Sequence, residues 1–389
     1  MKHKKYKLLL LFSSLLIFFS LILSGSRAGL LAAIAGVISL TYKSWPTKMK
    51  RSKWIYVFIP CLTFMLIYLL YIYSPESANA RLHIWRVCAD LFMDKPLLGF
   101  GYRGFNMNYM LYQGEYISSS TDTEFSAIAD NVVYPYNEFI HILVEQGITG
   151  FVLFVLMIYI GIRESRFHLR LYSPLIAFLT FSTFSYPSYK LALGIILPLL
   201  IGILPTRPLI HTTKVRTATA TVSLIALILC IIGISYSRHK FYGAIADLYN
   251  RVETESIHKY VNDFFIYNHY DLKVNALYAT YTEKFPEMLN DDTIPRLFPS
   301  SDTWCTIGRH YMMLHEYDKA QEYFCQAANM VPGLIQPKYL LWKAYILQGN
   351  EKDALKIAET ISRMRVKVEN TYTLRIRNEV IKYHLNQEQ

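Results

Sequence analysis

Charged side chains are scarce in this chain: they make up 18% of its 389 residues, against 53% hydrophobic ones. That balance is not the composition of a soluble protein, and the apolar residues concentrate in the first 236 positions. Acidic residues are fewer than basic ones, 29 against 40, for a formal charge of +11. The basic residues fall in short clusters between apolar stretches, as orientation signals do in membrane proteins, so nucleic acid is not expected as a partner. Cysteine is rare too. Cys61, Cys88, Cys230, Cys305 and Cys325 form no CxxC pair, so neither a metal site nor a cofactor is expected. Cys305 and Cys325 fall at core positions of a repeat described below and read as buried free thiols rather than a disulfide. No small-x-small cleavage site follows the basic N-terminus, so the first apolar run reads as an uncleaved span.

Seven apolar stretches are long enough to cross a bilayer, at about 7–24, 28–43, 54–73, 139–162, 171–186, 188–205 and 218–236. The second, fifth and sixth are short, as tilted or re-entrant segments or a tight hairpin would be. Loops on one side carry Lys2, Lys4, Lys5 and Lys7, then Lys43, Lys48, Lys50, Arg51 and Lys53. Arg163, Arg166 and Arg170 follow, then Arg207, Lys214 and Arg216, whereas short loops on the other side carry only Arg27 and Lys190. Positive residues stay in the cytoplasm, which puts the N-terminus inside and everything after Arg238 outside. The 74–138 loop is then also outside, and there eight acidic residues outnumber four basic ones.

Beyond the last span the sequence turns polar and aromatic. One 34-residue window carries Trp304, Ile307, Gly308, Tyr311, Ala320, Phe324, Ala327 and Pro332, the tetratricopeptide pattern. A weaker copy follows with Leu341, Tyr345, Gly349 and Ala354. The region 240–300 reads as helical, with room for degenerate copies, because solenoids need about three repeats to bury a continuous core. The expected fold class is therefore all-α: a polytopic transmembrane helical bundle with a C-terminal tetratricopeptide-like α-solenoid. Residues 1–73 carry the first three spans, 74–138 the outer loop, 139–236 the other four spans and 237–389 the repeat domain.

Charge at membrane depth is costly and calls for a reason. Arg27 stands in the short turn Ser24-Gly25-Ser26-Arg27-Ala28-Gly29 on the outer side, against the charge bias. The outer loop begins Arg81-Leu82-His83-Ile84-Trp85-Arg86, and a helix places Arg81 and Trp85 on one face. Asp94-Lys95-Pro96-Leu97-Leu98-Gly99-Phe100-Gly101 then ends that helix and permits close backbone approach. The loop returns through Tyr134-Pro135-Tyr136-Asn137-Glu138-Phe139 into a span that opens polar, with His141 and Glu145 before Gly147.

Taken in order, SGSRAGLL, RLHIW…DKPLLGFG and YNEFIHILVEQGITG resemble the O-antigen ligase and polymerase family of polytopic membrane glycosyltransferases. The later SYPSYK and the C-terminal repeats are similar to versions of that family from Bacteroidota, and the likeness covers about 20–205. The resemblance implies a metal-independent enzyme of the bacterial inner membrane. It would move a glycan from undecaprenyl diphosphate to a lipid or protein acceptor at the periplasmic face, in surface polysaccharide or glycoprotein assembly. A diphosphate leaving group needs cations as its charge develops, and arginine grips phosphate oxygens bidentately. Arg27, Arg81 and Arg86 are the implied diphosphate-binding residues. Tyr136 stands where many members have a histidine that activates the acceptor, and Glu138, His141 and His83 are the other base candidates. The family usually has several spans before SGSR, so the chain resembles its C-terminal half. The competing expectation is a membrane-anchored repeat adaptor without chemistry, holding a protein or peptide in its groove. A transporter is not expected, since the spans show no internal repeat and hold few deep ionisable residues.

Overall fold

The structure is a computed structural model that describes residues 2–42, 71–120, 123–165, 169–203, 299–364 and 369–387, with isolated positions between them. Among the described residues every regular element is a helix. The third and seventh expected spans and the region 240–298 lie largely or wholly outside the described residues. The chain divides into two compact units: Met1–Phe105 with Tyr134–Thr206, and Asn106–Val133 with Arg207–Gln389.

In the first unit, α1 (Lys2–Leu23) and α2 (Arg27–Thr41) are joined by a turn at Gly25, whose φ is +61°. Phe12, Ile17, Phe19 and Leu23 on α1 are more than half exposed, a surface suited to lipid. Ser26 caps α2 by accepting from the Gly29 amide at 3.1 Å. Helix α2 buries Ala28, Ala32, Gly36 and Ser39 and packs on α7 (Leu169–Thr183). At Gly36 the two helices come so close that a β-carbon would lie 3.2 Å from the Ala177 methyl, and Ser173 donates to the Gly36 carbonyl at 2.6 Å. Small residues are what allow backbones to approach like this in a membrane.

Helix α3 is Pro75–Asp94, and α6 is Glu138–Ser165. Among the described residues α6 is the helix long and apolar enough, over Glu138–Glu164, to cross a membrane by length and composition. Helix α2 and 171–183 of α7 are shorter apolar helices. The side chains of α1 are described only from Phe12 on, apart from Ser14. Where a single sixth span is expected, the chain breaks into a 3-10 turn (Pro187–Tyr189), α8 (Leu191–Gly194) and α9 (Ile196–Gly202). Pro187 ends one segment and sets up the next.

In the second unit, α4 (Gly104–Ser119, from Asn106 on) and α5 (Thr123–Ile128) join α10 to α14. Those five are Ser301–Met313, Tyr317–Met330, Ile335–Gln348, Glu351–Arg363 and Thr371–Gln387, each packed on the next. A β-carbon on Gly308 would strike the Phe324 ring at 2.5 Å, so glycine is needed where α10 meets α11. Ala320, Phe324 and Ala327 are fully buried on α11. A second core joins Tyr339 and Trp342 of α12, Ala354, Ala358 and Ile361 of α13, and Ile376 and Val380 of α14. Cys305 is a buried free thiol, raised by burial to about 12. Cys325 is also free but exposed, contrary to the core position expected for it. The face of α11 through 320, 324 and 327 points inward, and 325 is turned away from it.

Candidate functional site

The turn before α2 and the first half of α3 bring Arg27 and Arg81 to one cleft of about 190 Å³ in the first unit. Arg27 is the first residue of α2, and its Nη2 donates to Ser77 Oγ at 2.7 Å. Arg81 lies one turn further along α3, where its Nη1 donates to the Phe184 carbonyl at 3.3 Å. Its guanidinium also lies over the Tyr136 ring, 5.2 Å from the centroid, a cation–π distance. Ala28, Leu31, Leu82 and Trp85 are among the other lining residues, and none of the described ones is acidic.

Two guanidinium groups sharing an apolar-walled cleft oppose one another. Burial first, and then the charge of Arg27, push Arg81 below the ordinary arginine value, while Tyr136 and Tyr186 act the other way. An entering anion relieves this repulsion and gains bidentate hydrogen bonds in a low-dielectric setting. Trp85 shares the Arg81 face as the spacing predicts, and its Nε1 donates to the Pro135 carbonyl at 2.8 Å. That bond ties α3 to the segment that carries Tyr136. Tyr136 itself has a φ of +54°, a conformation uncommon for a residue with a β-carbon.

Arg86 is exposed and lies outside the residues lining the cleft. Glu138 belongs to a neighbouring polar cluster rather than to the cleft lining. Asn137 caps α6 by accepting from the amides of Phe139 at 2.9 Å and Ile140 at 3.1 Å. One turn on, His141 faces Glu138 through Nδ1 at 3.5 Å, and Glu145 through Nε2 at 3.2 Å. The spacing of 138, 141 and 145 puts all three on one helix face. Glu138 Oε2 is buried and has no hydrogen-bond partner among the described residues.

Sequence reasoning missed Ser77 and the tyrosine array. Tyr134 stacks on Tyr186 at 4.1 Å, and Tyr189 meets Tyr134 edge-on at 4.4 Å. Tyr186 also packs edge-on against Tyr136 at 5.4 Å. The Tyr189 hydroxyl lies 3.1 Å from His141 Nε2, within hydrogen-bond reach. The tyrosine-rich SYPSYK was legible only as a resemblance, because nothing local in it points to residues some fifty positions away.

The loop Pro96–Gly101 completes the site by splicing into α6. At Gly147 the helix breaks, with φ +64° and ψ −167°, a region open essentially to glycine alone. The Phe100 and Gly101 amides donate to the Val144 and Glu145 carbonyls, at 2.9 and 2.8 Å. In return the Ile148 and Thr149 amides donate to Pro96 and Leu97, at 2.8 and 3.3 Å. These four bonds give partners to backbone groups at the break, as non-helical backbone needs wherever water is excluded.

Residues 12–155 match the family model for O-antigen ligase, a family of bacterial inner-membrane proteins. Arg27, Arg81, Tyr136, Glu138 and His141 lie inside the matched stretch, and Phe184 to Tyr189 lie beyond it. Over 126 residues the chain is 27% identical to a Rickettsia typhi protein named as a polysaccharide ligase. That match covers 30% of this chain and 29% of the relative, so it spans under a third of the relative's length. No solved structure gives a significant match. These similarities support a ligase-like role in polysaccharide assembly, carried by a stretch that holds both arginines of the cleft.

Proposed function

We propose that the protein is an O-antigen-ligase-like membrane glycosyltransferase. It transfers a glycan from undecaprenyl diphosphate to a lipid or protein acceptor at the periplasmic face of the bacterial inner membrane. The observation that carries this reading is the pairing of Arg27 and Arg81 in one apolar-walled cleft with no acidic residue among the described ones that line it. Two forks of fixed positive charge suit a diphosphate whose charge grows as the glycosidic bond breaks. The apolar wall suits the lipid attached to it. Arg86, exposed on α3, takes part at most as a more distant cation. The orientation in this proposal, N-terminus in the cytoplasm and repeat domain in the periplasm, rests on the basic clusters of the sequence.

The second unit fits a tetratricopeptide solenoid with a protein or peptide as partner in its groove. The approach of Gly308 to Phe324, and the buried Ala320 and Ala327, support that reading. It leaves a non-catalytic adaptor as the rival. Surface glycans compared by gel decide between them, in a deletion strain rescued by wild type or by Arg81→Ala. Rescue by wild type alone, with the variant present in the membrane at normal abundance, is the expected result. Equal rescue makes the arginine structural and hands the lead to the adaptor.

A further inference from the structure

The segment Phe184–Tyr189 touches the cleft at one end and the polar cluster of α6 at the other. Its first residue accepts from Arg81 Nη1 through the Phe184 carbonyl at 3.3 Å. Its last residue brings the Tyr189 hydroxyl to 3.1 Å from His141 Nε2. Between them Pro187 is buried and fixes a 3-10 turn, closed by the Lys190 amide donating to the Pro187 carbonyl at 3.0 Å. The same segment reaches Arg81 by a second route. Tyr186 packs on Tyr136, the ring beneath the guanidinium, and Tyr134 locks Tyr186 and Tyr189 together. Arg81 is therefore held from two directions by one turn, and that turn is pinned to α6 through His141, itself set between Glu138 and Glu145. Arg27 is held separately, by Ser77 on α3.

We propose that Phe184–Tyr189 is a clamp that orients Arg81 for the diphosphate, with Tyr189 and His141 as positioning residues that anchor it. The proposal rests on the cleft being the diphosphate site. A planar fork engages two phosphate oxygens only when its plane is set beforehand, and side chains that fix it raise affinity without touching the ligand. The anchor bond lies away from the cleft lining, so losing it loosens the fork while leaving its charge in place.

The test is a binding cycle on the full chain in nanodiscs of phosphatidylethanolamine and phosphatidylglycerol, with undecaprenyl diphosphate as the probe. Tyr189→Phe removes one oxygen and keeps the ring stacking, and His141→Gln breaks the same bond from its other side. Each is expected to weaken binding roughly tenfold, the scale of a lost hydrogen bond to a polar or charged group. The effect should persist in an Arg27→Lys background and shrink to under about twofold in Arg81→Lys, because coupled residues are non-additive. Equal weakening in both backgrounds marks general support of the fold and overturns the clamp, as does unchanged binding by Tyr189→Phe. Failure of the wild type to bind the probe is a different result: it removes the diphosphate reading itself, and the clamp with it.

Discussion

At the scale of single residues, the cleft depends on how each arginine is held as much as on its charge. Arg27 leans on the Ser77 hydroxyl at 2.7 Å, a charge-assisted bond in a half-buried place. Ser77→Ala is expected to lower glycan transfer about tenfold, in line with about 1.5 kcal/mol for a hydrogen bond to a charged group. Ser77→Thr should restore it, since the hydroxyl is retained. Ladder intensity in the rescued strain reads both, and wild-type intensity from Ser77→Ala shows that Arg27 is positioned by its other contacts. The arginines were legible because a cation is out of place beside apolar spans. Ser77 was not, since a serine near a helix start reads as a cap or a turn. Tyr189 was hidden by distance, because its partner His141 lies 48 positions earlier. Cys325 shows the opposite failing: it directly follows the buried Phe324, and a position one residue off the inward face of a helix turns outward.

At the scale of elements, α6, the helix long and apolar enough to cross a membrane, is broken at Gly147, and the break is filled by another segment. Two glycines from different motifs face each other across the splice. A β-carbon on Gly147 would lie 2.4 Å from the Leu97 carbonyl oxygen, and one on Gly99 would lie 2.5 Å from the Glu145 carbonyl carbon. Both are backbone atoms that cannot step aside. Gly101 also has a positive φ, of +82°, but a β-carbon there meets nothing within 4 Å. Gly147→Ala is thus expected to cost strain plus a backbone clash, about 3 kcal/mol or more, and Gly101→Ala strain alone, about 1 kcal/mol. Thermal unfolding of the purified protein checks the order, and equal midpoints for the two variants would sink the splice as a stabilising device. The sequence marked Pro96 to Gly101 as a place of close approach and α6 as a span. It could not say that the one docks into the other, because the four bonds join backbone groups 44 to 52 positions apart and no side-chain pattern records them.

At the scale of the molecule, the stretch 74–138 reads in sequence as one outer loop, but the chain assigns its halves to different compact units. Composition alone does not disclose this, because polar loops carry no periodicity that names a partner. Gln113 shows what organises the second half. It is fully buried, and its Nε2 donates to the Asp130 carbonyl at 3.0 Å and to the Met330 carbonyl at 2.7 Å, 217 positions away. Gly114 beside it leaves room for Met330, whose Cγ would be 3.3 Å from an added β-carbon. Asn131 Oδ1 accepts from the Ser301 amide at 3.2 Å, so the start of α10 is fastened to the same stretch. The helical domain therefore includes 106–133 as part of its own packing. Gln113→Leu keeps most of the volume and removes both N–H donors, and the buried Met330 carbonyl loses this bond, at a cost of about 2 kcal/mol to that unit. Hydrogen exchange on the full chain should then run roughly thirtyfold faster in α10 to α12, while α2 and α7 keep their wild-type protection. Equal acceleration in α2 and α7 would mean that the two units unfold as one, and unchanged exchange in α10 would mean that 106–133 rests on the helical domain without supporting it.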